Sequence, residues 1–172
     1  ILTCISAFSQ KLNGDEKLIL ELKDTRTFGK DNQLLEMLRS SDNDKASLAA
    51  FALTNINDTS IIDILGEKLL DPSTDQFAAK MSAFALGQIY SPKSPVFLKK
   101  KLNEIIYEDN KTLLIIEIIN SLGKTGNEED LNILVKLNSE NRLINSAIAM
   151  AIARFGMRKI KNDAGFRKLA EL

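Results

Sequence analysis

The sequence contains no histidine and no tryptophan, and it carries one cysteine, two tyrosines and three prolines among its 172 residues. Each shortage removes a class of chemistry. Without imidazole there is no His-based hydrolytic triad, and the usual neutral-pH acid/base group and zinc ligand are missing. The lone thiol, Cys4, allows no internal disulfide and no paired-cysteine redox or metal motif. Aromatic residues make up only 6% of the chain, so a cavity walled by rings is not expected. No apolar run approaches the roughly 18 residues of a membrane-spanning helix. A catalytic site, a metal site and a cofactor site are therefore all absent from the expectation.

What is present is a chain that is 44% hydrophobic and 27% charged, the composition of a soluble globular protein with one extended core. Its 23 basic and 23 acidic residues cancel, and the net charge demands neither nucleic acid nor an anionic membrane. The distribution is uneven. Residues 1–86 hold nine Lys/Arg against thirteen Asp/Glu, a net of −4, and residues 87–172 hold fourteen against ten, a net of +4.

The opening "ILTCISAFSQ" is apolar and places small residues, Ala7 and Ser9, at the first and third positions before Gln10. That spacing resembles a signal-peptidase site, which makes residues 1–9 a signal-peptide remnant and predicts export to a bacterial periplasm or envelope. The competing reading puts Ile1, Leu2, Ile5 and Phe8 on one face of a short capping helix in a cytoplasmic protein. Residues 10–30 follow as a lead-in helix.

From residue 31 onward the chain repeats itself. "KASLAAFALTNI" (45–56) and "AKMSAFALGQI" (79–89) align Ala46 with Ala79, Ala50 with Ala83, Leu53 with Leu86 and Ile56 with Ile89. "LLIIEIINSLGKTG" and "SAIAMAIARFG" continue the pattern, giving anchors Leu53, Leu86, Leu122 and Phe155 at intervals of 33, 36 and 33 residues. Apolar positions recur at steps of three and four, so each segment is one face of a helix. Gly87, Gly123 and Gly156 follow three of the anchors, and Thr54 follows the first.

A shorter second helix follows each anchor, in "SIIDILGEKLL", "SPVFLKKKLNEII", "EEDLNILVKL" and "DAGFRKLAEL", and "DNQLLEMLRS" precedes the first. Ser73 with Gln76 fits a capping box, Ser94 before Pro95 fits an N-cap, and Asn127 before two glutamates fits another. Antiparallel helix pairs of this period cannot bury their apolar faces alone and must stack on neighbours. The Ala-rich lettering lets adjacent first helices approach closely, and Phe51 and Phe84 are expected to fill the space between layers. The predicted fold is all-α, an α-solenoid.

"DKASLAAFALTNINDTSIIDILGEKLLD" followed by "DQFAAKMSAFALGQI" resembles HEAT repeats, particularly the short HEAT-like type of phycobilisome lyases. The resemblance implies a right-handed superhelix of about four to five antiparallel helix pairs over residues 31–172, in an array expected to continue beyond the C-terminus. It also implies a scaffold, with the second helices lining a concave surface. The Arg that such repeats carry near the start of the first helix is Lys45 and Lys80 here. The lead-in "ILELKDTRTFGKDNQLLEML" is similar to the start of bacterial envelope proteins in which HEAT repeats precede a cyclophilin-type prolyl isomerase domain. That likeness implies the regulatory N-terminal part of a larger enzyme as an alternative function.

Three constellations invite chemistry and are better read structurally. "GKTGNEED" lacks phosphate-loop spacing and follows a helix, so it reads as a helix-ending turn. Lys99, Lys100 and Lys101 read as a solvated face or as a site for an acidic surface. Arg154, Arg158, Lys159, Lys161, Arg167 and Lys168 could touch phosphates as in a DNA-binding or repair module, but Phe155 and Phe166 are the only aromatic companions, and nucleic acid is the weaker reading. Glu128, Glu129 and Asp130 are first-turn charges that suit the helix dipole. The leading expectation is a non-catalytic scaffold for another protein or peptide. Its candidate groove-facing residues are Glu36, Arg39, Asp63, Glu67, Lys100, Lys101, Glu104, Asn132 and Lys136.

Overall fold

Asn13 starts the first helix of the computed structural model, which describes residues 12–172. The signal-peptide expectation for residues 1–9 lies outside them. The Asn13 side chain accepts from the Glu16 amide at 2.9 Å, and Glu16 accepts from the Asn13 amide at 2.7 Å, so two amides at the helix start are satisfied reciprocally. Helix α1 (Gly14–Thr25) ends where Arg26 turns left-handed at φ 54°. Asp31 and Asn32 are also left-handed, which confines α2 (Gln33–Leu38) to six residues. The remaining helices are α3 (Asn43–Leu53), α4 (Ile62–Leu70), α5 (Gln76–Gln88), α6 (Ser94–Ile105), α7 (Thr112–Thr125), α8 (Glu128–Lys136), α9 (Arg142–Met157) and α10 (Asp163–Glu171). Among the described residues there are ten α-helices, three single 3-10 turns and no strand.

The capping chemistry corrects two sequence expectations. Asp75, not Ser73, caps α5, accepting from the Phe77 and Ala78 amides, while Ser73 bonds to Asp71. A carboxylate one residue before the helix wins over a hydroxyl three residues before it. Ser94 is the first residue of α6 and no side chain caps that end; its hydroxyl reaches back to the Ile89 carbonyl at 3.4 Å. Asn127 does cap α8, and "GKTG" is the turn in which α7 ends, as expected.

The odd-numbered helices lie side by side in chain order, α1 on α3, α3 on α5, α5 on α7 and α7 on α9. Each even helix packs chiefly on the odd helix that follows it: α2 on α3, α4 on α5, α6 on α7 and α8 on α9. Every odd helix from α3 onward thus sits in a seat formed by the two helices before it. The anchors explain why. Leu53, Leu86, Leu122 and Phe155 are all fully buried, as are Ala46, Ala49, Ala50, Ala52, Ala83 and Ala85. Each buried Leu or Phe contributes about 1.5–3 kcal/mol, and the alanines bring backbones close enough for the anchors to interlock.

The glycines after the anchors mark the closest approaches. A Cβ on Gly87 would lie 2.9 Å from the Ser121 Cα, and one on Gly123 would lie 2.7 Å from the Ala151 Cα, so neither position admits a side chain without moving a helix. Gly66 plays the same part between α4 and α6, under the ring of Phe97. Phe51 and Phe84 do not fill a gap between layers. Phe51 is 39% exposed, and the two rings stack with centroids 6.4 Å apart on the outer side of α3 and α5.

Candidate interaction surface

The even helices are short, and their outer faces carry most of the residues singled out from the sequence. Glu36 of α2 and Arg39, which follows its last residue, are exposed and pair with each other at 2.7 Å. Asp63 and Glu67 are exposed on α4, where Asp63 binds Lys93, the residue before α6, at 2.9 Å. Arg39 and Glu67 line one shallow hollow between α2 and α4, together with Lys68 and Asp71. Lys100 and Glu104 are exposed on α6, whereas Lys101 is mostly covered and lies 3.4 Å from Glu104. Asn132 and Lys136 are exposed on α8, and Asn132 accepts from Asn162 at 2.9 Å. The structure joins Arg39 with Glu67 and Lys101 with Glu104, and no contact ties the α2–α4 group to the α8 residues.

A series of polar contacts crosses from one helix pair to the next. Lys45 binds Asp15, Lys68 donates to the Ser40 carbonyl, Lys93 binds Asp63, Arg154 donates to Asn120 and Lys168 donates to Asn138. In each case the cation comes from the later segment and the acceptor from the earlier one, 28 to 34 residues away. The Lys45 ammonium is held above its ordinary value by the hydrogen bond and the charge of Asp15. Lys45, where the resemblance leads one to expect Arg, still joins two helices. The basic C-terminal group is dispersed by the same contacts, since Arg154 is committed to Asn120 of α7 and Lys168 to Asn138 in the loop after α8.

Asp130 lies in the first turn of α8 with Glu128 and Glu129, as expected, but it is fully buried where they are exposed. One carboxylate oxygen accepts from the Asn127 amide at 2.7 Å, closing the capping box of α8. The other lies 2.8 Å from the Lys99 Nζ. Arg158, at the end of α9, stacks its guanidinium 4.7 Å from the Phe155 ring, and burial lowers its proton affinity while the charges of Tyr90 and Asp130 restore part of it. The signal that could have found this cluster is the N-cap itself: an acid three residues after Asn127 turns back to its own helix end. Lys124 is likewise lowered by burial, with Glu117 opposing and Arg154 adding to the shift, and it sits 5.0 Å above the Phe84 ring.

The odd helices present a different surface. Phe77, Leu113, Leu143, Met150 and Met157 are each more than half exposed on α5, α7 and α9. Among the described residues no group of three or more acidic or thiol side chains could hold a metal ion, and no helix is long and apolar enough to cross a membrane. No protein-family model matches the chain, and no curated protein is similar to it at a significant level.

Proposed function

We propose that the chain is a non-catalytic scaffold, an α-solenoid of HEAT-like helix pairs in a right-handed superhelix, whose even-helix row binds an extended segment of another protein or peptide. The observation that supports this most is the seating pattern: each odd helix lies in the groove of the two before it, four times in succession. Such an arrangement satisfies the apolar faces by stacking and leaves the even row for solvent or for a partner.

The charges on that row are polarised. Glu36, Asp63 and Glu67 lie toward the N-terminal end, and Lys100 and Lys136 toward the C-terminal end. A partner along the row is basic where it meets Asp63 and Glu67 and acidic where it meets Lys100 and Lys136, clear of the exposed Glu128 and Glu129 that open α8. Exposed pairs of this kind contribute about 0–1 kcal/mol each, so they set orientation and association rate more than affinity. The test is selection from a displayed random-peptide library, followed by kinetics with Lys100→Glu/Lys101→Glu. Selected peptides should be basic at one end and acidic at the other, and the variant should slow their association about fivefold or more at low salt. Peptides without charge polarity, or an unchanged rate with the fold intact, would remove the even row as the binding face.

A further inference from the structure

In the turns that lead into α3 and α5, the acids hold the local backbone. Asp42 and Asp75 cap the two helices, and Asp71 binds the amide and hydroxyl of Ser73. The turns that lead into α7 and α9 are different. Glu108 makes no capping bond, no side chain caps α7, and the cap of α9 is Asn141. Among the described residues the side chains of Glu108, Asp109 and Glu140 take part in no hydrogen bond and no ion pair, so the building of the turns does not account for these carboxylates.

The same two turns enclose a cleft of about 260 Å³. Its floor is apolar, made by Ile106, Ile115 and Ile144, the last two buried in the core. Glu108 and Asp109 stand on one lip and Glu140 on the other, all three exposed. Tyr107, beside them, is 89% exposed. Lys111 and Arg142, the cations nearest in sequence, do not line the cleft, whose charged lining residues are all acids.

We propose that this cleft receives one arginine side chain from an exposed loop or tail of a partner protein. Charge complementarity selects a cation, because three unpaired carboxylates face the opening. The floor selects a long stem, since the methylenes of arginine can cover isoleucine while its head stays at the lips. A guanidinium forks onto carboxylates and stacks on an aromatic ring, which suits an acidic rim beside an open tyrosine better than the compact, strongly hydrated ammonium of lysine. Size agrees. Drug-sized ligands occupy pockets of about 300–1,000 Å³, and this cleft falls below that range. The inference does not depend on what the even-helix row binds.

The test is an NMR titration of the isotope-labelled full chain with the peptide acetyl-Gly-Arg-Gly-amide. Amides of residues 106–109 and 138–144 should shift saturably, and added salt should weaken the binding. The citrulline peptide, which keeps the shape and lacks the charge, should bind about tenfold or more weakly, and the lysine peptide about threefold more weakly. Glu108→Gln/Glu140→Gln should cost about tenfold in arginine-peptide affinity and Tyr107→Ala about threefold, with the thermal melt unchanged in both variants. Shifts centred on the outer faces of α4 and α6, equal affinity for the arginine and citrulline peptides, or undiminished binding by the glutamine variant would each overturn the proposal while leaving the even-row reading to its own test. Calcium ions that shift the same amides at lower concentration than the arginine peptide would overturn the choice of occupant and assign the rim to a metal ion.

Discussion

The odd and even helices are built from different residues and are used differently. In the odd row α3, α5 and α9 are rich in alanine while α7 has none, and the four helices bury Leu53, Leu86, Leu122 and Phe155 completely. The even row is shorter, buries one stripe and turns Glu36, Asp63, Glu67, Lys100 and Lys136 outward. Stability is therefore concentrated where small residues let backbones approach, and variable chemistry is displayed where they do not. A change in the odd row is felt by two neighbouring seats, while a change on the outer even face is felt by solvent.

The sharpest way to break this contrast is to cut an anchor. Leu86→Ala removes a fully buried side chain between α5 and its neighbours and should cost about 2–5 kcal/mol in urea unfolding. The same cut at Leu169, 38% exposed on α10, should cost well under half of that. Equal losses would mean that the odd row has no special part in stability.

Next in size is the one buried acid. Asp130→Ala removes the closing half of the α8 capping box and the partner of Lys99, and should destabilise by about 1–3 kcal/mol. Lys99 is itself 26% exposed and can turn to water, which keeps the loss below that of a fully enclosed ion pair. Glu129→Ala, one position away and exposed, is the control and should change stability by no more than about 0.5 kcal/mol.

A smaller effect belongs to two loop acids. Asp58 is held below its ordinary value by the Ser60 amide, and Asp71 by the hydroxyl and amide of Ser73. A carboxylate depressed on folding lends stability that is complete above its unfolded value and is lost as pH falls through the folded one. The double variant Asp58→Asn/Asp71→Asn should be slightly less stable than the parent near neutral pH, and the difference should vanish at the acid end of a thermal-melt series. The smallest change in stability is expected for Lys100→Glu/Lys101→Glu, which should move the melt little while altering association.

The anchors, the alanines and the recurring glycines were legible in the sequence because a helix with one or two buried faces writes a three- and four-residue rhythm whatever surrounds it. Helix starts were less legible. Asp75 and Ser73 are both competent caps, and only the local backbone decides between them. The seating of α4 on α5 was hidden because adjacency along the chain suggests the hairpin α3–α4 and says nothing of which neighbour is closer. Exposure of the even-row charges could be read from their spacing, but their partners could not. Lys93 with Asp63 and Lys68 with Ser40 join residues of different helix pairs, and Gly126 lies close against both the Asp130 Cβ and the Phe155 ring.

The central claim is that the odd helices pack in chain order as one continuous stack, with Gly87 and Gly123 at the closest approaches. One substitution at three equivalent positions tests it. Gly87→Ala, Gly123→Ala and Gly156→Ala should be compared by urea unfolding under identical conditions. The first two place a methyl group under 3 Å from a neighbouring helix and should destabilise by about 1–3 kcal/mol. The third meets open space and should leave stability unchanged or raise it by up to about 1 kcal/mol through helix propensity. Three changes of the same sign and size would contradict the stack.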